Sequence, residues 1–286
     1  MRKMSLKAIK AGFVLLLCWG MVFSAFAEKR KKSGNYEPLF GKSQAAYSVT
    51  SSSLRGAVFY LVSGHGGPDP GCIGKYQGHE LHEDEYAYDI ILRLGKELLK
   101  RGAKVHFIIQ DSKDGIRNTA ILKNSKRETC MGKPIPLNQV ERLQQRCDAI
   151  NRLYRKDKSG YKRAIFIHVD SRGRRKQTDT YFYHAPGSKY GQRLAEQLQQ
   201  TFRAKYARHQ PNRGFDGTVS ERSLFVLRNT VPYAVFMELG NIQNALDQKR
   251  LVIPDNRQAL ANWIAEAIEK DFKKSRLSRN LVGINL

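Results

Sequence analysis

Four short segments, far apart in the chain, each set a metal-type or carboxylate side chain against an apolar run. They are Gly64-His65-Gly66-Gly67, His82-Glu83-Asp84-Glu85, Phe166-Ile167-His168-Val169-Asp170 and Phe236-Met237-Glu238-Leu239-Gly240. Imidazole plus carboxylate is a donor set of hydrolytic zinc, which commonly takes three protein ligands and keeps a fourth position for water. His65, Glu83 and His168 supply such a set. Glu238 is then a non-ligand base, taking a proton from the attacking water and delivering it to the leaving amine. The ligands lie 18 and 85 residues apart, so no short-range metal motif applies. Singly, each has a plainer role: a hydrogen-bonded strand-end His, a Glu serving a helix N-terminus, a Glu paired with a surface Arg. Jointly they resist that explanation, because burying charge without a partner is costly. His79-Glu80-Leu81-His82-Glu83 is not the zincin helix motif, which needs a second His where Glu83 stands. Gly74-Lys75 is no phosphate loop, since Asp69 stands five positions before Gly74 and Tyr76 replaces the Ser or Thr. A Cys72 thiolate would close the open position, so Cys72 reads as a small buried hydrophobe.

The elements that must gather these groups follow from periodicity. Ala57 to Val62, Lys104 to Ile109, Ala164 to Ile167 and Tyr233 to Met237 are apolar runs of strand length. Between them, Glu83 to Arg101 carries Ala87, Ile90, Ile91, Leu94 and Leu98 on one helical stripe, with acids in its first turn and Lys100, Arg101 and Gly102 closing it. Helices are also expected over Asn138 to Tyr154, Lys189 to Tyr206 and Asp255 to Phe272, and Asp179 to Tyr183 alternates like a strand with one wet face. Strands alternating with helices predict a single α/β domain with a largely parallel central sheet flanked by helices. In such sheets ligands sit outside the carboxyl ends of the strands. His65, His168 and Glu238 all fall there, and Glu83 heads the first crossover helix.

The chain opens like an export leader at residues 1–27, with a basic start, an apolar stretch and Ala25-Phe26-Ala27 as a cleavage site. The stretch is too short to favour a permanent membrane helix, so stable insertion is not expected. Cys18 follows three leucines rather than the small residues a lipidated cysteine needs. Of the 50 Lys and Arg, four lie in this leader, leaving +20 on residues 28–286. That surplus predicts an anionic partner, and export disfavours nucleic acid. Residues 28–55 read as a basic flexible tether, 56–275 as the catalytic domain and 276–286 as a basic tail. Residues 111–136, without period, are expected to be an insertion or flap. Cys72, Cys130 and Cys147 allow at most one disulfide, and an oxidising compartment permits Cys130 with Cys147.

In these ordered blocks the sequence resembles the zinc-dependent N-acetylmuramoyl-L-alanine amidases of bacterial cell-wall turnover, over roughly residues 56–274. Val62 to Gly71 resembles the family's first ligand loop and Glu83 its second ligand. Arg146 with Ile150-Asn151 is similar to the helix before the third-ligand strand, which ends at His168. Asn212-Arg213-Gly214, Leu224 to Arg228, Val235 to Gly240 and Asn244 resemble the block holding the catalytic glutamate. The resemblance implies one Zn2+ per chain and hydrolysis of the amide between N-acetylmuramic acid and L-alanine of the stem peptide. It further implies substrate contacts at Arg146, Asn151 and Arg228, peptidoglycan and a protein activator as partners, a monomer, and a place in the periplasm or cell wall. Arg172-Gly173-Arg174-Arg175-Lys176 is equally readable as a carboxylate-binding run or a solvated loop. Two departures stand out: Val169-Asp170 for Ala-Asn, and Asn241-Ile242-Gln243 for Phe-x-Ser. A non-catalytic peptidoglycan-binding protein, or a zinc peptidase or deacylase acting on another amide, are the competing readings.

Overall fold

The computed structural model describes residues 34–171, 173 and 177–283. The chain divides into residues 1–34, of which Gly34 alone is described, and a compact unit beginning at Asn35. The expected leader, the run Lys29 to Lys32, and Arg172, Arg174, Arg175 and Lys176 lie outside the described residues.

Six strands make the central sheet: β1 (Ala57–Ser63), β2 (Lys104–Phe107), β3 (Tyr161–Asp170), β4 (Tyr181–His184), β5 (Thr218–Glu221) and β6 (Tyr233–Asn241). Their order is β5-β4-β6-β3-β1-β2. The strands β2, β1, β3 and β6 are parallel, while β4 runs antiparallel to β6 and parallel to β5. Parallel strands covered on both faces read as continuous apolar runs, and β1 shows why. Phe59 and Leu61 enter one core, with Ile165, Ile167, Val235 and Met237, while Val58, Tyr60 and Val62 enter the other with Ala164, Phe166 and Ala234.

Helices α1 (Glu83–Lys100), α2 (Gln139–Lys156), α3 (Lys189–His209), α4 (Phe225–Asn229), α5 (Ala245–Val252) and α6 (Pro254–Gly283) supply the outer layers. The first core takes α1, α3 and α6; the second takes α2 and α4. Among the described residues no helix is long and apolar enough to cross a membrane. Cys72, Cys130 and Cys147 are free thiols.

Three expectations need correction. The proposed tether does not stay loose from Asn35 onward: Phe40 and Leu54 are fully buried, and the Phe40 ring meets Phe107 edge-on at 5.8 Å. Burial of one aromatic ring outweighs the polar composition around it. The basic tail is not separate, because α6 continues through Gly283. Residues 111–136 are no free flap either. Ile109–Gln110, Thr129–Cys130 and Lys133–Pro134 form a small sheet, and Leu122 is buried.

Side chains satisfy the rest of that segment's backbone. Arg257, fully buried on α6, donates from Nη2 to the carbonyls of Arg117 and Thr119 at 2.7 and 3.0 Å. Its Nε reaches Asp89 Oδ2 at 2.6 Å, and Asp89 Oδ1 accepts from the Arg117 amide at 2.8 Å. Arg93 adds a third clamp on the Arg117 carbonyl at 2.8 Å. A segment without periodicity is thus ordered by charges on its neighbours, a pattern invisible to a search for apolar stripes. Replacing Arg257 by Ala leaves Asp89 partly unpaired in the core, and the expected loss is about 3–5 kcal/mol in urea unfolding. A loss below about 1 kcal/mol, the range of an exposed pair, would mean the segment is held by other contacts.

Candidate metal centre and cleft

Strand register brings the distant groups together. In the parallel pair β3 and β6, His168 lies opposite Glu238, so both side chains leave the same face of the sheet. The His168 ring stacks on Phe236 at 4.2 Å, which fixes its plane. The Gly64 amide donates to the Ile167 carbonyl at 2.8 Å, carrying the end of β1 past β3 and delivering the His65 loop. A Cβ at Gly64 would collide with the His168 ring, so glycine is required there. His65 itself is left-handed, with φ 57°. Such strain costs on the order of 1–3 kcal/mol and persists only when its surroundings impose it. They do so here: buried Arg146 donates to the His65 carbonyl, and the Gly67 amide donates to Glu128 at 2.8 Å.

Glu83 enters from the N-terminus of α1, where the helix favours negative charge. Its Oε1 lies 2.9 Å from His168 Nδ1 and 3.3 Å from His65 Nε2. The carboxylate also accepts from the amides of Val169 and Cys72, at 3.1 and 2.9 Å. Burial raises the pKa of Glu83, but the hydrogen bonds to His168 and His65 prevail and hold it well below the usual carboxylate range. Burial likewise lowers His65, yet Asp69 and Glu83 outweigh it and bring its pKa to about 10. Burial dominates at His168, whose pKa falls below that of an ordinary imidazole.

One donor atom from each of His65, Glu83 and His168 lies within 4.8 Å of the others. Tetrahedral bonds of about 2.1 Å place neighbouring ligand atoms about 3.4 Å apart, close to the 3.3 and 2.9 Å seen here. The residues therefore fit a divalent cation, through His65 Nε2, His168 Nδ1 and Glu83 Oε1. Burial and the Glu83 charge push the nearby Cys72 thiol up to about 12.

Asp69, which carried no role in the sequence reading beyond its place in the loop, bonds His65 Nδ1 at 2.7 Å and thereby turns Nε2 toward Glu83. Arg142 holds Asp69 in turn, at 2.6 Å. The four-residue separation of His65 and Asp69 within a Gly-rich loop was the available signal. A second carboxylate group, Asp84, Glu85 and Glu128, lies buried nearby. Arg117 pairs with Glu85 at 2.7 Å, while burial and the neighbouring Glu85 and Glu128 push Asp84 up to about 8.

The cleft over the cluster is lined by His65, Arg142, Leu143, Arg146, Phe225, Phe236 and Glu238, among others. Arg146 is thus beside the site, where it donates to the carbonyls of His65 and Arg142. Asn151 and Arg228 do not line the cleft. Asn151 brackets the approach to β6, donating to the Asn229 carbonyl and accepting from the Val231 amide, each at 2.8 Å. Arg228 is exposed on α4.

The profile of the N-acetylmuramoyl-L-alanine amidase family matches residues 60–270, most of the chain and every residue of this cluster. The chain belongs to that family. Among solved structures the amidase resembles AmiC2 of Nostoc punctiforme, at 20% identity and a TM-score of 0.55, over 77% of this chain and 99% of that one. It also resembles the catalytic domain of CwlV from Bacillus (Paenibacillus) polymyxa var. colistinus, at 19% identity and a TM-score of 0.54, over 76% and 98%. CwlD of Clostridioides difficile, in complex with the GerS lipoprotein, matches at 17% identity and a TM-score of 0.56, over 76% and 98%. At these identities the likeness concerns the fold. No curated protein sequence matches the chain.

The packing of Gly64 against His168 gives a test independent of any ligand. Gly64→Ala should destabilise the amidase by about 1–3 kcal/mol in urea unfolding, the usual range for an overpacked core. An unchanged midpoint would show that the His168 ring has room to move.

Proposed function

We propose that this amidase is zinc-dependent, with His65, Glu83 and His168 as ligands and Glu238 as the general base. The observation that carries the reading is one imidazole nitrogen from each histidine meeting the same buried Glu83 oxygen, with Glu238 in register beside His168. Bound there, zinc supplies Lewis-acid polarisation of the scissile carbonyl and lowers the pKa of water to about 7. Asp69 holds His65 in the tautomer that presents Nε2 to the cation. Glu238 takes a proton from the attacking water as oxygen bonds to the carbonyl carbon, then passes it to the nitrogen as the C–N bond breaks. In the family's substrate that bond joins the lactyl group of N-acetylmuramic acid to L-alanine.

The leader-like start supports export to the periplasm or cell wall, and the amidase would act as a monomer in wall turnover or daughter-cell separation. CwlD is in complex with a lipoprotein, and by analogy a protein activator is part of this proposal.

Incubating the protein with purified peptidoglycan, with and without a chelator, tests the reading by mass spectrometry of released fragments. Stem peptides with N-terminal alanine, abolished by the chelator, are expected. Binding without release, or cleavage inside the stem, would replace the proposal with a binding protein or a peptidase. Glu238→Ala should keep its metal and lose about 10²–10⁴ in rate, whereas His168→Ala should lose the metal. Equal zinc content in His168→Ala and the wild type would refute the ligand set. Asp69→Asn should weaken zinc binding about 10–100-fold in chelator competition, and unchanged affinity would reduce Asp69 to a loop residue.

A further inference from the structure

A separate cavity, of about 370 Å3, lies where the C-terminal end of α3 meets α6, with Tyr206, Leu260 and Trp263 on its apolar side and Gln210, Asn256 and Asn262 on its polar side. That volume is within the range of small-molecule pockets. Tyr206 and Leu260 belong to the first core and Trp263 packs against it, whereas Phe166 and Phe236 of the catalytic cleft belong with the second. The sheet therefore stands between this cavity and Glu238.

The lining has an aromatic wall, an open hydroxyl and no net charge to draw an anion. Tyr206 is 3% exposed, and its hydroxyl keeps contact with solvent but has no hydrogen-bond partner among the described residues. A phenol that deeply placed normally finds one. Trp263 is half-buried, its ring edge-on to Phe202 and Tyr206 at 5.5 Å and nearly parallel to the exposed His209 at 6.1 Å. Gln210 and Asn262 are exposed carboxamides, and Asn262 engages only its Oδ1, accepting from Gln258 at 2.9 Å. Arg250 is the one guanidinium in the lining, and carboxylates compensate it: Asp179 at 2.8 Å and Asp247 at 3.1 Å. Arg213 shares Asp179, so two guanidinium groups meet two carboxylates.

We propose that this cavity is a non-catalytic site for a neutral sugar ring of the wall glycan. A pyranose has a C–H face to set against Trp263 and hydroxyls for Tyr206 and the carboxamide rim, the pairing of apolar and polar groups that the lining presents. The source of the sugar rests on the peptidoglycan amidase reading. A ring held here lies across the sheet from the reacting bond, so it keeps the protein on the polymer and takes no part in the chemistry.

The chain has two tryptophans, Trp19 and Trp263. In the full chain carrying Trp19→Phe, tryptophan emission reports this cavity alone. Titration with an N-acetylglucosamine tetrasaccharide should change that emission saturably, and free stem peptide should leave it unchanged. Tyr206→Phe removes one hydroxyl, keeps the ring, and should weaken binding about three- to tenfold, the scale of one hydrogen bond. Asn262→Ala, at an exposed position, should weaken it as well. On intact peptidoglycan Tyr206→Phe should slow release at limiting protein, while kcat/KM on a soluble muramyl peptide with a single sugar should match the wild type. No response to the tetrasaccharide, an equal response to stem peptide, unchanged binding in both variants, or equal losses on the two substrates would each overturn the site. If the wild type cleaves neither substrate, the amidase reading fails, and the emission titration still decides whether the cavity binds sugar.

Discussion

The architecture of this amidase turns on one buried carboxylate. Glu83 loses nearly all contact with water, and an isolated carboxylate in that position is strongly disfavoured. It is tolerated because the N-terminus of α1, two backbone amides and two imidazoles converge on it. Those partners come from the 65–72 loop, the start of α1 and the end of β3, so meeting the needs of one group fixes three stretches at once. The cluster is satisfied by a proton on His65 or by a cation among the three donors, and the two compete. Metal affinity in such sites is therefore linked to pH by construction.

The same acid-rich helix start explains the unusual segment that follows β2. Asp84, Glu85 and Asp89 point into space that an ordinary amphipathic helix would fill with carbon. Residues 111–136 supply Arg117, Asn124 and Ser125 as partners, and α6 supplies Arg257. Through Glu128 the segment then reaches the Gly67 amide. What looks like a peripheral loop is a buttress beneath the His65 turn. Its order follows from charge pairing, so its rigidity should be more sensitive to loss of a partner than to changes in exposed surface.

Sequence periodicity made the parallel sheet, α1 and the ends of the strands legible, because strands buried on both faces leave uninterrupted apolar runs. A His or Glu directly after such a run was conspicuous, and these are the groups the sheet gathers. Short elements held by polar bonds left no such trace, including the hairpin of Ile73–Tyr76 with His79–His82, β5, α4 and α5. Asn151 shows a different limit. It shares a helix with Arg142 and Arg146, but nine residues beyond Arg142 is about 13 Å along the axis. That distance carries it from the cleft to the foot of β6. Helix membership does not convey position along the helix.

The departures from the family pattern also find a physical reading. Val169 contributes to the centre through its backbone amide, while its side chain is buried in the core with Ile165 and Ile167. Asn241 is fully buried; its amide nitrogen donates to the Gly173 carbonyl at 2.8 Å and its backbone N–H to Asp247 at 3.0 Å. The Ile242 carbonyl accepts from Gln248, which also bonds the Lys75 carbonyl. These residues join the end of β6 to the neighbouring loops and to the 73–82 hairpin. None of Asn241, Ile242 and Gln243 lines the cleft. The cleft is lined on another flank, by Leu143 of α2 and by Phe225 and Val226 of α4.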